Sequence, residues 1–205
     1  MSEFKKLPTG KVSVVDTEDN SAEIDSLSGS IQVIDFAHHK IHEGDSFCVS
    51  HTLTAKNDGT YLTIYLKTPN AEKSIHMFTQ WASSGASYFR IREYPVVTAN
   101  TGSSQLSVNR NRNSTNISEA LDNATVPIAG YAMTDVTISD RTADVAGSKG
   151  GLIIWQEYDG IGKQMTGGNR NDSEFILKKN TPYVFELESD ASGLVLNANL
   201  YWYET

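Results

Sequence analysis

Thr181-Pro182-Tyr183-Val184-Phe185-Glu186-Leu187-Glu188, then Ser189-Asp190-Ala191-Ser192-Gly193, then Leu194-Val195-Leu196-Asn197-Ala198-Asn199-Leu200-Tyr201-Trp202-Tyr203-Glu204: this stretch decides the fold class. The first segment has the composition of a strand. The second is rich in turn formers. In the third, Leu194, Leu196, Ala198, Leu200 and Trp202 alternate with Val195, Asn197, Asn199, Tyr201 and Tyr203. Period-two alternation flanking a Gly/Asp/Ser turn predicts a β-hairpin whose last strand is paired and buried.

A second stretch reads the same way. Phe47, Val49, His51, Leu53 and Ala55 alternate with Cys48, Ser50, Thr52 and Thr54; Asn57-Asp58-Gly59 is a tight-turn signal; and Tyr61–Leu66 is expected to return as the paired strand. Further strands are predicted over Ser74–Trp81, Ala86–Val97, Gln105–Val108, Ile128–Ile138, Gly151–Tyr158 and Glu174–Leu177. A first strand is expected from Ile31 through Phe36, and one helical turn over Ile117–Leu121. About ten short strands with almost no helical period predict an all-β, antiparallel two-sheet sandwich, jelly-roll-like, with long loops.

Two segments are read as boundaries and excursions. Residues 1–30, with a short strand at Lys11–Val15 and an acidic run from Asp16 to Asp25, are expected to form a flexible N-terminal arm, and residues 31–205 the sandwich. Residues 109–127, rich in Asn, Arg, Ser and Thr, are expected to be an exposed excursion, and Arg110, Arg112 and Asn113 are its candidate recognition residues. In such a reading Lys11, Ser13, Val15, Asp16 and Asp19 are the arm's candidate contacts, the arm adding a strand to a partner's sheet edge.

Composition narrows the classes. A formal net charge of −8 over 205 residues argues against a nucleic-acid backbone or an anionic membrane as partner. Cys48 is the single cysteine, so an intrachain disulfide is impossible, and its place inside an alternating strand predicts a buried, inert thiol. Met1-Ser-Glu-Phe-Lys-Lys-Leu has no apolar signal core, which predicts manufacture and folding in a cytoplasm. Four Asn-x-Ser/Thr triplets, at Asn113, Asn116, Asn123 and Asn171, are read as by-products of polar loops.

Candidate chemistry is sparse. His38, His39, His42 and His51 are metal-ligand types, and a jelly roll is the scaffold of cupin metalloenzymes, yet no His-x-His pair is present; a polar turn at Glu43-Gly44-Asp45 is the competing expectation. No Gly-x-Ser-x-Gly elbow or phosphate-binding glycine loop occurs. Glu157, Asp159, Glu186 and Glu188 are read as solvated carboxylates. Nothing calls for a cofactor, and no catalytic residue is assigned. Trp81, Trp155, Trp202 and nine tyrosines either fill the sheet interface or, where exposed, offer platforms for sugar rings. Tyr201 and Tyr203 lie opposite Trp202, so the outer face that carries them is expected to be covered by a loop or a neighbouring subunit.

Val33-Ile34-Asp35-Phe36-Ala37-His38-His39-Lys40-Ile41-His42-Glu43-Gly44-Asp45-Ser46-Phe47, Asn109–Asn113, Glu174–Tyr183 and the terminal Trp202-Tyr203-Glu204 resemble, together and in this order, segments of one group of proteins. Over residues 31–205 the chain resembles small virion proteins of tailed bacteriophages. The resemblance implies a non-enzymatic decoration (cement) protein on the capsid exterior, a homotrimer whose partner is the major capsid protein. Two readings stand beside it: a phage adhesin or carbohydrate-binding module for host-surface glycans, and a cupin-like metalloenzyme.

Overall fold

The computed structural model describes residues 3–6, 12–15, 21–22, 36–70, 72–98, 101–120, 129–138, 150–160 and 174–205. The chain divides into two units, Met1–His39 and Lys40–Thr205. The first contains a three-stranded antiparallel sheet, β1 (Glu3–Lys6), β2 (Val12–Val15) and β3 (Ser21–Ala22), in that order. Of the arm's candidate contacts, Ser13 and Val15 lie on β2, whereas Lys11, Asp16 and Asp19 lie outside the described residues.

Helix α1 (Phe36–Glu43) is followed by β4 (Ser46–Lys56), β5 (Tyr61–Lys67), β6 (Ile75–Ser83), β7 (Ser87–Glu93), β8 (Ser103–Leu106), β9 (Val108–Asn109), β10 (Tyr131–Thr134), β11 (Leu152–Asp159), β12 (Phe175–Leu177), β13 (Pro182–Ser189) and β14 (Leu194–Glu204). Strands of the larger unit form two antiparallel sheets packed face to face. One has the order β11-β7-β13-β5-β10-β8, the other β12-β6-β14-β4-β9. The pairings β4·β14, β5·β13, β6·β12 and β7·β11 show a long two-stranded ribbon rolled around a core. This is jelly-roll topology, with β8, β9 and β10 inserted before β11.

The topology corrects both expected hairpins. The turns are where the sequence places them: Thr60 N donates to Asn57 O (3.1 Å), and Gly193 N to Lys56 O (2.7 Å). The strands they join lie in different sheets. A connection of a few residues spans either the ~4.8 Å between paired strands or the ~10 Å between stacked sheets, so turn chemistry does not distinguish the two. The two arches sit side by side and bond each other, with Gly59 N donating to Ser189 O (2.8 Å) and Ser189 N to Thr60 O (2.9 Å).

Inner faces match the alternation. Leu194, Leu196, Ala198, Leu200 and Trp202 of β14 are buried against Leu62, Ile64, Leu66, Phe89, Ile91, Tyr183, Phe185 and Leu187 of the opposite sheet. Trp81 of β6 stacks on Phe89 of β7 across the interface, centroids 3.8 Å apart and planes 9° apart.

Three further expectations need correction. Phe36 opens a helix rather than closing a strand, while Ile31–Ile34 lie outside the described residues. An eight-residue helix with no buried residue leaves no apolar period to read. Ile117–Ala120 is irregular, not helical, and Ser118 and Ala120 are buried, so the 109–120 segment is no exposed excursion throughout. Among the described residues no helix is long and apolar enough to cross a membrane.

Truncation on the two faces of one strand should separate sharply. Leu200→Ala, in the core, is expected to cost about 2–5 kcal/mol in urea unfolding. Val195→Ala, at 42% exposure on the outer face of β14, is expected to change stability by no more than ~0.5 kcal/mol.

Candidate functional site

Residues 40–46, 109–120, Glu174 and 202–204, far apart in sequence, meet at one corner of the five-stranded sheet. Helix α1 ends there in a Schellman motif: Asp45 N donates to Lys40 O (3.0 Å) and Gly44 N to Ile41 O (3.1 Å). Gly44 has φ +80°, and a β-carbon there would stand 2.2 Å from Ser114 Oγ, so both backbone and space demand glycine. Glu43-Gly44-Asp45 is therefore a helix cap, not a turn between strands.

Asn109 secures the next segment to this cap. Its Nδ2 donates to Gly44 O (2.7 Å) and Asn116 O (3.1 Å), and Arg110 N donates to Ser46 O (2.8 Å). Beyond it, side chains accept from backbone N–H groups two residues on: Asn109 Oδ1 from Asn111 N (2.9 Å), Asn111 Oδ1 from Asn113 N (3.1 Å), Ser114 Oγ from Asn116 N (3.1 Å) and Ser118 Oγ from Ala120 N (3.0 Å). Successive Asx and Ser turns explain the Asn/Ser richness, since these side chains satisfy a backbone that has neither helix nor ladder. Arg110 is spent on packing, its guanidinium 5.6 Å from the Tyr201 ring centroid; Arg112 and Asn113 remain exposed.

At the centre of the corner sits the buried carboxylate of Glu204. Its Oε1 accepts from Ser118 Oγ (2.6 Å), Trp202 Nε1 (3.2 Å) and Glu119 N (3.0 Å). Burial pushes this carboxyl up; the bonds from Ser118, Glu119 and Trp202 and the Lys73 charge pull the other way without cancelling it. Nearby, Glu174 accepts from Tyr203 Oη (2.7 Å) and meets His76 Nδ1 (2.6 Å), and His76 stacks on Tyr203 with centroids 4.6 Å apart. Tyr203 is thus covered chiefly by His76 and Phe78 of the adjacent strand β6, with Glu174 beside β12, rather than by a loop alone.

The candidate metal ligands are not brought together. His38, His39 and His42 are exposed on α1, and His51 of β4 pairs with both Asp135 carboxylate oxygens at 3.0 Å. Among the described residues no three His, Cys, Asp or Glu side chains gather to hold a metal ion. Cys48 is half-buried on the outer face beside Arg110, not enclosed in the core; burial raises its thiol, while Arg110 and Arg112 act against the rise.

The sequence reading misses the most organised surface, the outer face of β11-β7-β13-β5. Cross-strand rows run Gln156–Arg90–Glu186–Thr63 and Tyr158–Tyr88–Glu188–Tyr61. Arg90 Nε donates to Gln156 Oε1 (2.8 Å), its Nη1 donates to Glu188, and its guanidinium lies 4.7 Å above the Tyr88 ring. Tyr61 Oη donates to Glu188 Oε1 (2.9 Å) and Tyr158 Oη to Asp190 Oδ2 (3.1 Å). Glu186, fully buried, is held by Arg92 Nε at 3.3 Å and Arg90 Nη1 at 3.5 Å. Glu186 and Asp159 are thus buried, against the expectation of solvated carboxylates; for Glu186 paired guanidinium groups offset the lost hydration. Alternation in Tyr88-Phe89-Arg90-Ile91-Arg92 was the available signal, because it puts Tyr88, Arg90 and Arg92 on one face.

Tyr61 continues this row into an open depression of about 390 Å³ lined by Leu53, Lys56, Thr60, Asp135, Val136 and Thr137. Asp135 has φ +56°, a left-handed backbone that non-glycine residues seldom adopt. Comparison with models of protein families, with curated proteins and with solved structures gives no match for this chain.

Glu204 sets a pH dependence. Because its carboxyl is raised in the folded protein, its contribution to stability is full below the ordinary value of 4.5 and is lost as pH rises through the folded value. Glu204→Gln is therefore expected to gain stability relative to the parent between that pH and neutrality, measured as the difference in urea midpoints; a difference that does not move with pH would show that the carboxyl titrates normally. Glu204→Ala strands the Ser118, Trp202 and Glu119 donors and should cost about 1–3 kcal/mol.

Proposed function

We propose that this chain is a non-enzymatic virion protein that binds the outer capsid surface of a tailed phage as a decoration protein, acting as a homotrimer and stabilising the head. The resemblance motivates the reading. The observation that carries it is the open outer face of the five-stranded sheet. Ser50, Thr52 and Thr54 of β4, Val195, Asn197 and Asn199 of β14, and Gln80 and Ala82 of β6 lie there in register, all exposed or half-buried, and none is charged at neutral pH.

A patch of uncharged side chains docks against protein at little desolvation cost, and the centres of protein interfaces are depleted in charged residues. On a repeating lattice, several such contacts per trimer add through avidity, so each can be modest. The stabilising effect on the shell is mass action: a ligand that binds the assembled state alone shifts the equilibrium toward it. The arm, residues 1–30, is proposed to strengthen docking by strand addition.

Sedimentation with purified, expanded capsids tests the reading. The expected outcome is saturable binding, a rise in the temperature at which heads rupture, and loss of binding in the double variant Ser50→Lys/Gln80→Lys, whose added charges lie two strands apart and whose thermal unfolding should remain a single cooperative transition. Absence of binding removes the proposal. Undiminished binding by the double variant removes the assigned face, and undiminished binding after deletion of residues 1–30 removes the arm's role.

A further inference from the structure

The outer face of the six-stranded sheet lies on the opposite side of the sandwich from the face assigned to the capsid, and its chemistry differs. We propose that it is a binding site for an uncharged oligosaccharide, which runs along the row Tyr158–Tyr88–Glu188–Tyr61 and ends in the depression beside Asp135.

Four features support that ligand class. First, the face presents a ring. Tyr158 is 53% exposed and is braced from below by Tyr88, with centroids 4.5 Å apart, so a pyranose can lay its C–H face on Tyr158. Second, planar polar groups flank the rings at fixed positions. Arg90 is tied to Gln156 and Glu188, and Asp190 accepts from Tyr158. Such groups bond adjacent hydroxyls, and because they are already held in place little rotamer entropy is lost on binding. Third, the row is long. Tyr158 and Tyr61 lie on the outer two of four adjacent strands, which puts about 14 Å between them at the usual strand spacing. The open depression adjoining Tyr61, about 390 Å³, lies at one end of the row.

Charge supplies the fourth. Among the described residues, the permanent cations on or under this surface are Arg90, Arg92, Lys67 and Lys56, four against the four carboxylates Glu186, Glu188, Asp190 and Asp135. Arg92 and Glu186 are buried against each other, and Arg90 is neutralised by Glu188. These residues leave no cation in excess to attract a sulfated or sialylated chain, and the molecule as a whole carries −8. An uncharged ligand meets no such opposition. Asp135, with a left-handed backbone and its carboxylate paired to His51, lines this depression.

A printed array of uncharged, sialylated and sulfated glycans, followed by titration calorimetry with the best uncharged hit, tests the site. The expected result is binding among uncharged glycans, weakened roughly tenfold or more by Tyr158→Ala and by Gln156→Ala, about the worth of one ring contact or polar contact. Both side chains are exposed, so unfolding temperatures should match the parent's, and capsid sedimentation should be unaffected. Silence of the whole array, binding confined to the anionic glycans, or parent-like affinity in both variants would overturn the proposal, without touching the capsid reading.

Discussion

Burial of the two inner sheet faces against each other is the interaction on which everything else depends. From β4 through β7, and again from β11 through β14, each strand crosses to the sheet opposite its predecessor. No ladder of backbone bonds therefore joins successive strands of these runs. What holds them is apolar contact across the interface, led by Trp81 on Phe89 and by the inner face of β14, together with pairings between residues remote in sequence such as Ser46 and Tyr203. Contacts of this kind must bear loop-closure entropy before they form, so the fold is non-local in origin and its last strand completes the centre of a sheet.

That dependence explains which parts of the fold were legible. Period-two alternation reports which side chains face the core, and at Ile75, Met77, Trp81, Leu196 and Leu200 it reported correctly. It is silent on which strand lies alongside. Both Asn57-Asp58-Gly59 and Ser189–Gly193 were readable as turns, yet each turned the chain between sheets. Tyr183-Val184-Phe185-Glu186-Leu187 held a partial clue: all five are buried, as suits a central strand covered on both faces, but Glu186 disguised it. Its burial depends on Arg90 and Arg92, whose position beside it only the register reveals. The same blindness hid the aromatic and charged row, whose members come from four separate strands.

The corner around Glu204 shows how polar residues can be held by structure alone. Gly44, Asn109 and Ser118 are each fixed by a specific demand: a left-handed cap under a close neighbour, a side chain bonding two carbonyls, and a hydroxyl donating to a buried carboxylate. Substitution at any of them strands polar groups away from water. Such constraints come from the fold and are independent of what the surfaces bind. The two faces proposed as recognition surfaces lie elsewhere, on side chains whose loss the fold would tolerate.

Two outer faces of one sandwich have accordingly been built to opposite rules. On β4-β14-β6 the exposed rows of Ser, Thr, Asn, Gln and Ala offer hydrogen-bonding groups without charge, which favours contact with a broad protein surface. On β11-β7-β13-β5 the charges are present but internally paired, and the pairing holds rings and planar polar groups still. Preorganised polar groups around aromatic platforms favour a small ligand with directional hydroxyls over a flat partner, because a flat partner would have to desolvate Glu188 and Asp190 without replacing their bonds. A molecule seated on a shell by the first face presents the second outward. The division of labour proposed here thus follows from where the charged residues fall in a period-two pattern, and requires no change in the core that supports both.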